Sequence, residues 1–295
     1  GLLSYNNVDI YITGSNSKML SKDILTEFRG RGDQIHIYPL RIRELYDATK
    51  ESFDAIYDSY SLYGGLPKVW NLDTAEDKST YLKNLILEVY LMDIKQRNSI
   101  KDERNIKTLM EVLASSIGSY TNPTKIENTF KSQLRTTYTQ KTIVNHLDYI
   151  QDAFLIWESK RYDIKGRKYI GANSKYYYSD IGIRNALLNF RQNEPTHIME
   201  NIIYNELISR NYNVDVGIVE TNTTRDNKKE RVKLEVEFIA SKGNETFYIQ
   251  SAYSLYEKIE IERRPLNKIN ESFKKIIIHK DSTNSWYDEK GICYM

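Results

Sequence analysis

The period of the apolar residues changes several times along this chain, and the order of those changes limits the folds open to it. Residues 8–13 (VDIYIT) are β-branched and aromatic and end in Gly14-Ser15-Asn16-Ser17, which reads as a buried strand running into a polar turn. Ser21 precedes Ile24, Leu25 and Phe28, a short helix stopped by Gly30 and Gly32. Residues 34–38 (QIHIY) alternate as a strand does, and Pro39 breaks the run. Strand, helix, strand fits the tail of an α/β sheet and is too short to stand alone. From 41 to 120 the spacing is helical: Ile42, Leu45 and Tyr46 share a face, and Tyr57, Tyr60 and Tyr63 lead into the loop Gly64-Gly65-Leu66-Pro67. Tyr81, Leu82, Leu85, Val89 and Met92, then Leu109, Val112, Leu113 and Ile117, continue that spacing until Gly118 stops it.

Residues 121–180 have another character. Asn122-Pro123 opens a short helix to Ser132, with Pro in the first turn. After a polar turn, Thr139 caps a helix from Gln140 to Asp152 with Ile143, Leu147 and Ile150 on its apolar side. Two β-like runs come next, Phe154 to Tyr162 and Lys175 to Tyr178, on either side of a basic tip from Asp163 to Lys168. Helix, helix, turn, helix and two-stranded wing is the order of a winged helix-turn-helix. Tyr176, Tyr177 and Tyr178 are expected to alternate between the core and the surface of that wing. Beyond 195 the pattern reads helix (His197–Arg210), strand (Val214–Val219), polar loop (Thr221–Glu230), strand (Val232–Ala240), strand (Thr246–Gln250), helix (Glu257–Asn267) and strand (Lys275–His279). The loop is expected to be mobile. The fold class is therefore multidomain, α/β and α+β.

Composition sets the limits on function. At 295 residues, with 40% apolar and 28% charged, the chain builds packed cores. Lys and Arg number 42 against 40 Asp and Glu, so any nucleic-acid site must be a local patch. The lone Cys293 rules out an intrachain disulfide framework and a zinc ribbon, and the four His are scattered, so no metal site is expected from them. No run of about 18 apolar residues exists, and the start lacks the layout of a signal peptide, so a cytoplasmic protein with no membrane partner is expected. None of the 13 glycines is followed by Lys, which excludes a P-loop. A local patch does exist: Lys101 to Lys175 holds 13 Lys and Arg against 8 Asp and Glu. The candidate recognition helix carries Gln140, Lys141, Asn145 and His146, and the wing carries Lys160, Arg161, Lys165, Arg167 and Lys168, residue types suited to base edges and phosphates.

The segment YITGSNSKMLSKDILTEFRGRGDQIHIYPLRIRELYD resembles the second half of the AAA-type module of prokaryotic ATPases that carry a C-terminal domain of unknown function. YGGLPKV (63–69), DAFLIWESKRYDIKGRKYI (152–170), KYYYSDIGIRNALL (175–188) and HIMENIIYNEL (197–207) resemble later landmarks of that family. The resemblance implies an AAA-type remnant at 1–40, a helical lid at 41–100, a winged helix-turn-helix at 101–190 and a restriction-endonuclease-like (PD-(D/E)XK-like) lobe at 191–295. It implies that Ser15 and Asn16 face the nucleotide and orient a water, and that Arg31 neutralises a γ-phosphate. ATP and Mg²⁺ then belong to an intact parent, and no cofactor is expected for this chain, which opens at Gly1 and reads as the C-terminal two-thirds of such an ATPase. DNA, a protein partner and self-association through the ATPase part are the expected partners.

The same resemblance places a nuclease site in the last lobe, where a Glu on the first helix, an Asp on one strand and a Glu-x-Lys on the next would hold Mg²⁺. The matching positions are Glu200, Glu237 and Gln250-Ser251-Ala252, so one carboxylate is lengthened, one is an amide and the Lys is absent. A degenerate, inactive site is the expectation. The alternation of Leu234, Val236 and Phe238 with Glu235 and Glu237 also fits a half-exposed strand.

Overall fold

A computed structural model describes Asp9, Tyr11, Thr13, Gly14, Asp33 and residues 35–295 apart from 101, 102, 134, 226, 227, 282 and 283. Ser15, Asn16, Arg31 and the helix expected after Ser21 lie outside the described residues. Residues 35–40 run without sheet pairing, and Ile35 and Ile37 are 81% and 88% exposed, so the alternation of QIHIY does not mark a strand there.

The helical body comprises Ile42–Ala48 (α1), Phe53–Tyr63 (α2), Pro67–Trp70 (α3), Ala75–Asn84 (α4), a π-helical stretch Leu85–Leu91, Met92–Asn98 (α5), Glu103–Ser115 (α6), Pro123–Ser132 (α7) and Gln140–Asp152 (α8). The caps foreseen for α7 and α8 are present: Asn122 accepts from Lys125 N at 2.7 Å, with Pro123 in the first turn, and Thr139 accepts from Thr142 N at 3.3 Å. The rest is Ile156–Asp163 (β1), Lys168–Tyr178 (β2), Ile181–Leu187 (α9), Pro195–Ser209 (α10), Asn213–Arg225 (β3), Lys228–Lys242 (β4), Glu245–Ala252 (β5), Leu255–Leu266 (α11), Lys274–His279 (β6), Trp286–Tyr287 (β7) and Ile292–Tyr294 (β8).

The eight strands among the described residues form one sheet in the order β2-β1-β3-β4-β5-β6-β8-β7. The hairpin β1–β2 is therefore not a projecting wing. Arg161, Tyr162 and Asp163 pair in parallel with Val216, Gly217 and Ile218, which makes the hairpin the margin of the C-terminal sheet. Its outer edge is itself met by Thr121, whose N–H and C=O both bond Ser174. The polar stretch expected as a loop is paired as well. Thr221 to Arg225 lie opposite Lys228 to Val232 in an antiparallel ladder that extends β3 and β4. Both of its faces are polar, so no alternation of apolar residues announced it.

Three cores explain which residues are apolar. The first joins the lid helices to α6–α9 and runs from Ile42 through Ile56, Leu82, Ile106, Leu113, Phe130 and Ile150 to Ile202. It crosses the positions 100 and 190 that the resemblance implies as boundaries. The other two lie on opposite faces of the sheet: Met199, Ile203 and Tyr204 of α10 cover Tyr177, Phe238 and Ile249, while Leu266 of α11 covers Val236, Tyr248 and Ala252. Helix α10 is buried on all sides from Ile198 to Tyr204 because it separates the helical body from the sheet. Tyr176 and Tyr178 enter the first core and Tyr177 the sheet core, so the three tyrosines alternate between two interiors and not between core and surface.

Asp180, the cap of α9, fastens the loop after α2 to the body. Its carboxylate accepts from Ile183 N at 3.1 Å and from Gly65 N at 2.7 Å. Asn185 donates to the last carbonyls of α2, Ser61 O and Leu62 O, at 2.8 and 3.0 Å. Gly182 is needed because a Cβ there would lie 2.1 Å from Tyr63 O. Burial pushes Asp180 up to about 6 against the pull of the Gly65, Ile183, Gly182 and Leu66 amides. A raised folded value means that the proton-linked part of its contribution is full below its unfolded value of 3.8 and is lost as pH rises through about 6, while the cap and the bond to Gly65 remain. Asp180→Ala, which removes both the cap and the bond to Gly65, is expected to cost about 2–3 kcal/mol in urea unfolding at pH 7. Between pH 3 and 7, the stability of the wild-type chain relative to Asp180→Asn should fall by up to about 3 kcal/mol. A pH-independent difference would remove the buried carboxylate from this role.

Candidate functional site

A polar cluster lies where β2, α10 and the bulged centre of β4 meet. Its centre is Lys175 on β2, 3% exposed, with Nζ 2.8 Å from Glu200 Oε1 and 2.6 Å from Glu235 Oε1. Tyr177, two residues further along β2, donates its hydroxyl to the same Glu200 oxygen at 2.6 Å. The Tyr120 ring lies 5.6 Å from the Lys175 ammonium. Burial alone would lower the Lys175 pKa, and the Glu200 and Glu235 carboxylates more than reverse it, holding the ammonium above the ordinary lysine range.

Glu237 stands beside this pair. Its Oε2 accepts from Ser251 N at 2.6 Å, and its own N–H donates to Gln250 Oε1 at 2.6 Å. Burial and the facing Glu200 hold its carboxyl well above the usual carboxylate range. The backbone explains why Glu237 reaches Glu200. Asp215 pairs with Ile239 and Gly217 with Val236, so β4 carries one extra residue at 237–238, a β-bulge that re-aims the side chain. Val236 and Ile239 consequently share one core, and the half-exposed alternation expected for this strand is not found: both faces are covered.

Beside the bulge, the two faces of β5 are divided in a way its sequence does not announce. Tyr248 and Ala252 belong to the α11 face, so Gln250, between them, faces α11 and donates to Glu262 at 2.7 Å. Ser251 instead shares the α10 face with Ile249 and Glu200. Ser251 is 1% exposed, and its hydroxyl faces the Glu237 carboxyl, which it helps to hold in the charged form. Over the cluster passes the turn after α6, where Gly118 has φ +70° and a Cβ would lie 2.5 Å from Glu200 Oε2. The sheet thus brings Glu200 and Glu237 together, sets Gln250 behind them, and adds Lys175 and Glu235. Lys175 has one sequence signal, a charged residue heading the run of three tyrosines.

A divalent ion at the nuclease-like position does not fit these residues. Among the described residues no group of three His, Cys, Asp or Glu is arranged to hold a metal. The space between Glu200 and Glu235 is filled by the Lys175 ammonium.

The residues expected to meet nucleic acid are more dispersed. On α8, Lys141 and Asn145 are exposed, Gln140 donates to Glu127 at 2.8 Å, and His146 is buried against the Tyr138 hydroxyl instead of joining the polar side. On the hairpin, Lys160 and Lys168 are exposed, Lys165 donates to Glu220 O at 2.8 Å, and Arg167 pairs with Glu271 at 3.5 Å. Arg161 turns inward, 5.0 Å over the Tyr120 ring.

Known proteins share parts of this sequence. A family model described as an AAA domain matches residues 2–46, and one described as a domain of unknown function (DUF8612) matches residues 54–194, which lie within the span of the first core. An uncharacterized protein of Haemophilus influenzae is 34% identical over 291 residues, covering 97% of this chain and 68% of its own length. An uncharacterized protein of Methanocaldococcus jannaschii is 30% identical over 267 residues, covering 86% of this chain and 57% of its own length. No solved structure matches the chain significantly.

Removing the central cation leaves the buried Glu200 and the half-buried Glu235 without a counter-ion. Lys175→Met is expected to destabilise the chain by about 3–5 kcal/mol in chemical denaturation. Combined with Glu200→Gln the loss should be smaller than the two single losses added, since each strips the same pair. Strict additivity would mean that the pair is not coupled.

Proposed function

This chain belongs to the family of that Haemophilus influenzae protein, and from the AAA-domain match ahead of a domain of unknown function we propose that it is the output part of an AAA-type ATPase, a unit that binds and does not cleave. The observation that carries the reading is the fastening of the lid to the body. Glu206 of α10 accepts from Ile42 N at 3.3 Å, Asp180 from Gly65 N, and Lys280 pairs with Asp58 at 3.0 Å. A displacement of the AAA segment would therefore reach the sheet through packed elements instead of a linker. In this reading ATP and Mg²⁺ bind a parent carrying the P-loop that this chain lacks, with Ser15, Asn16 and Arg31 near the γ-phosphate, in the cytoplasm.

Duplex DNA is the partner class with a specific feature behind it. Lys141 and Asn145 on α8 and Lys160 and Lys168 on the marginal hairpin are exposed. Backbone phosphates require such cations. The alternative is a protein-interaction module in which these cations are only solvated.

Fluorescence anisotropy of labelled duplex in EDTA, at low and moderate salt, distinguishes the two. Binding should weaken steeply with salt, and changing Lys141, Lys160, Lys165 and Lys168 to Ala should lower the salt slope by about 0.9 for each phosphate no longer neutralised. No binding at low salt would leave the protein-interaction reading. Incubation of plasmid with the chain and Mg²⁺ or Mn²⁺ should leave the DNA uncut, and cleavage lost in Glu200→Gln would overturn the non-cleaving assignment.

A further inference from the structure

Helix α8 ends in a geometry that ordinarily calls for glycine. Phe154 N donates to Gln151 O at 2.9 Å and Leu155 N to Ile150 O at 3.2 Å, the paired bonds of a Schellman motif, and Phe154 takes its left-handed position with φ +56°. A bulky residue there carries strain that glycine would avoid. The apolar contact of the motif is made without it, by Leu155 and Ile150, both buried in the first core. Phe190, the other phenylalanine with positive φ among the described residues, packs its ring against that core, whereas Phe154 belongs to none of the three described cores. The Phe154 ring goes instead to His36, edge-on at 4.6 Å, and to Trp157 at 6.2 Å.

His36 is the centre of this group. Its ring lies 4.2 Å from Tyr38 and 5.5 Å from Trp157, in the close, tilted arrangements that aromatic rings prefer. Alternate residues of an extended run face opposite ways, so His36 and Tyr38 meet the body while Ile35 and Ile37 are exposed. Further on, Leu40 N donates to Gly65 O at 2.8 Å, and Leu40 O accepts from Tyr60 Oη at 3.0 Å. Residues 36–40 thus tie the loop after α2 to the end of α8 and the start of β1, and they lie inside the 2–46 match to an AAA domain. A cavity of about 400 Å³ beside the rings, lined also by Thr13, Leu66, Tyr90 and Asp180, gives this segment space to shift. We infer that Phe154 and Trp157 are a seat on the body for His36 and Tyr38, and that this aromatic clamp is what holds the AAA segment on the root of the hairpin. The strain at Phe154 is then the cost of presenting a ring where the segment passes. Resting on the proposed function, the clamp is the point at which a displacement of the AAA segment meets α8 and β1, the elements that carry the exposed Lys141 and Lys160.

A nitroxide spin label reads the segment directly. Ile37→Cys places it at an exposed position, and Cys293, the chain's own cysteine, is buried. In the full chain the electron paramagnetic resonance spectrum of the label should be broad, as for a held backbone. Phe154→Gly should narrow it to that of a segment moving on the nanosecond scale. The urea midpoint of that variant should be unchanged or raised, because glycine relieves the left-handed position and the ring serves no core. His36→Ala should narrow the spectrum as much, and combining it with Phe154→Gly should add nothing, since each opens the same clamp. Phe154→Tyr keeps the ring and should leave the spectrum broad. A spectrum that Phe154→Gly leaves unchanged would overturn the inference. So would a urea midpoint that falls in Phe154→Gly, which would make Phe154 a packing residue of the body. The label is read without DNA or nucleotide, so failure of the clamp and failure of the DNA assignment are told apart.

Discussion

Two carboxylates and one ammonium, drawn together out of most of their water, are costly to desolvate, and at Lys175 their mutual attraction must offset that cost. The geometry shows how. Glu200 accepts from both Lys175 Nζ and Tyr177 Oη, Glu235 accepts from Lys175, and the Tyr120 ring faces the ammonium. Lys175 comes from the hairpin β1–β2, Glu200 from α10 and Glu235 from β4, so the cluster is formed only when all three elements are docked. An apolar cluster of the same volume would be as stable but less particular about which strand lies beside which. Loss of the ammonium would set two like charges against each other in the middle of the sheet, and for that reason the arrangement selects one packing of hairpin, helix and strand.

The hairpin's place at the margin of the sheet has a consequence for how the chain works. A projecting wing moves with its own three helices. This one is bonded to β3 through Arg161 to Asp163 and is pinned at its tip by Lys165 on Glu220 and Arg167 on Glu271. The lid is joined just as directly to α9 and α10 through Asp180, Asn185 and Glu206. Helix α10 then contributes Ile198 and Ile202 to the helical core and Met199, Ile203 and Tyr204 to the sheet core. It is the element through which strain in the lid would be felt at Glu200.

Much of this was legible in the residues. Asn122-Pro123 and Thr139 announced α7 and α8, because a cap is chemistry between residues three apart in sequence. Helix α10 and strands β4, β5 and β6 were legible from their apolar runs. Three features were not. The residues of Thr221–Glu230 are polar throughout, so no apolar alternation marks the strands that pair there. The bulge at Glu237 arises from the register against β3, which leaves no local mark. The sheet membership of the hairpin depends on partners 55 residues away in sequence, such as Ser159 and Val214 O. For the site, Glu200 and Glu237 were identified from a family likeness, while Lys175 and Glu235 were missed because motif spacing looks along the chain and these two meet across the sheet.

The degenerate motif acquires a physical meaning from that last point. Read along β5, Gln250 and Ala252 replace an acid and a lysine, and the site reads as merely eroded. In space, Gln250 lies on the α11 face beside Glu262, and the face toward Glu200 carries Ser251 in its place. A lysine is present after all, brought by β2, and it stands between two acids instead of beside a water. A cation held at 2.6–2.8 Å from two carboxylates satisfies them where they stand. Which acids it meets is decided by the strand from which the lysine comes.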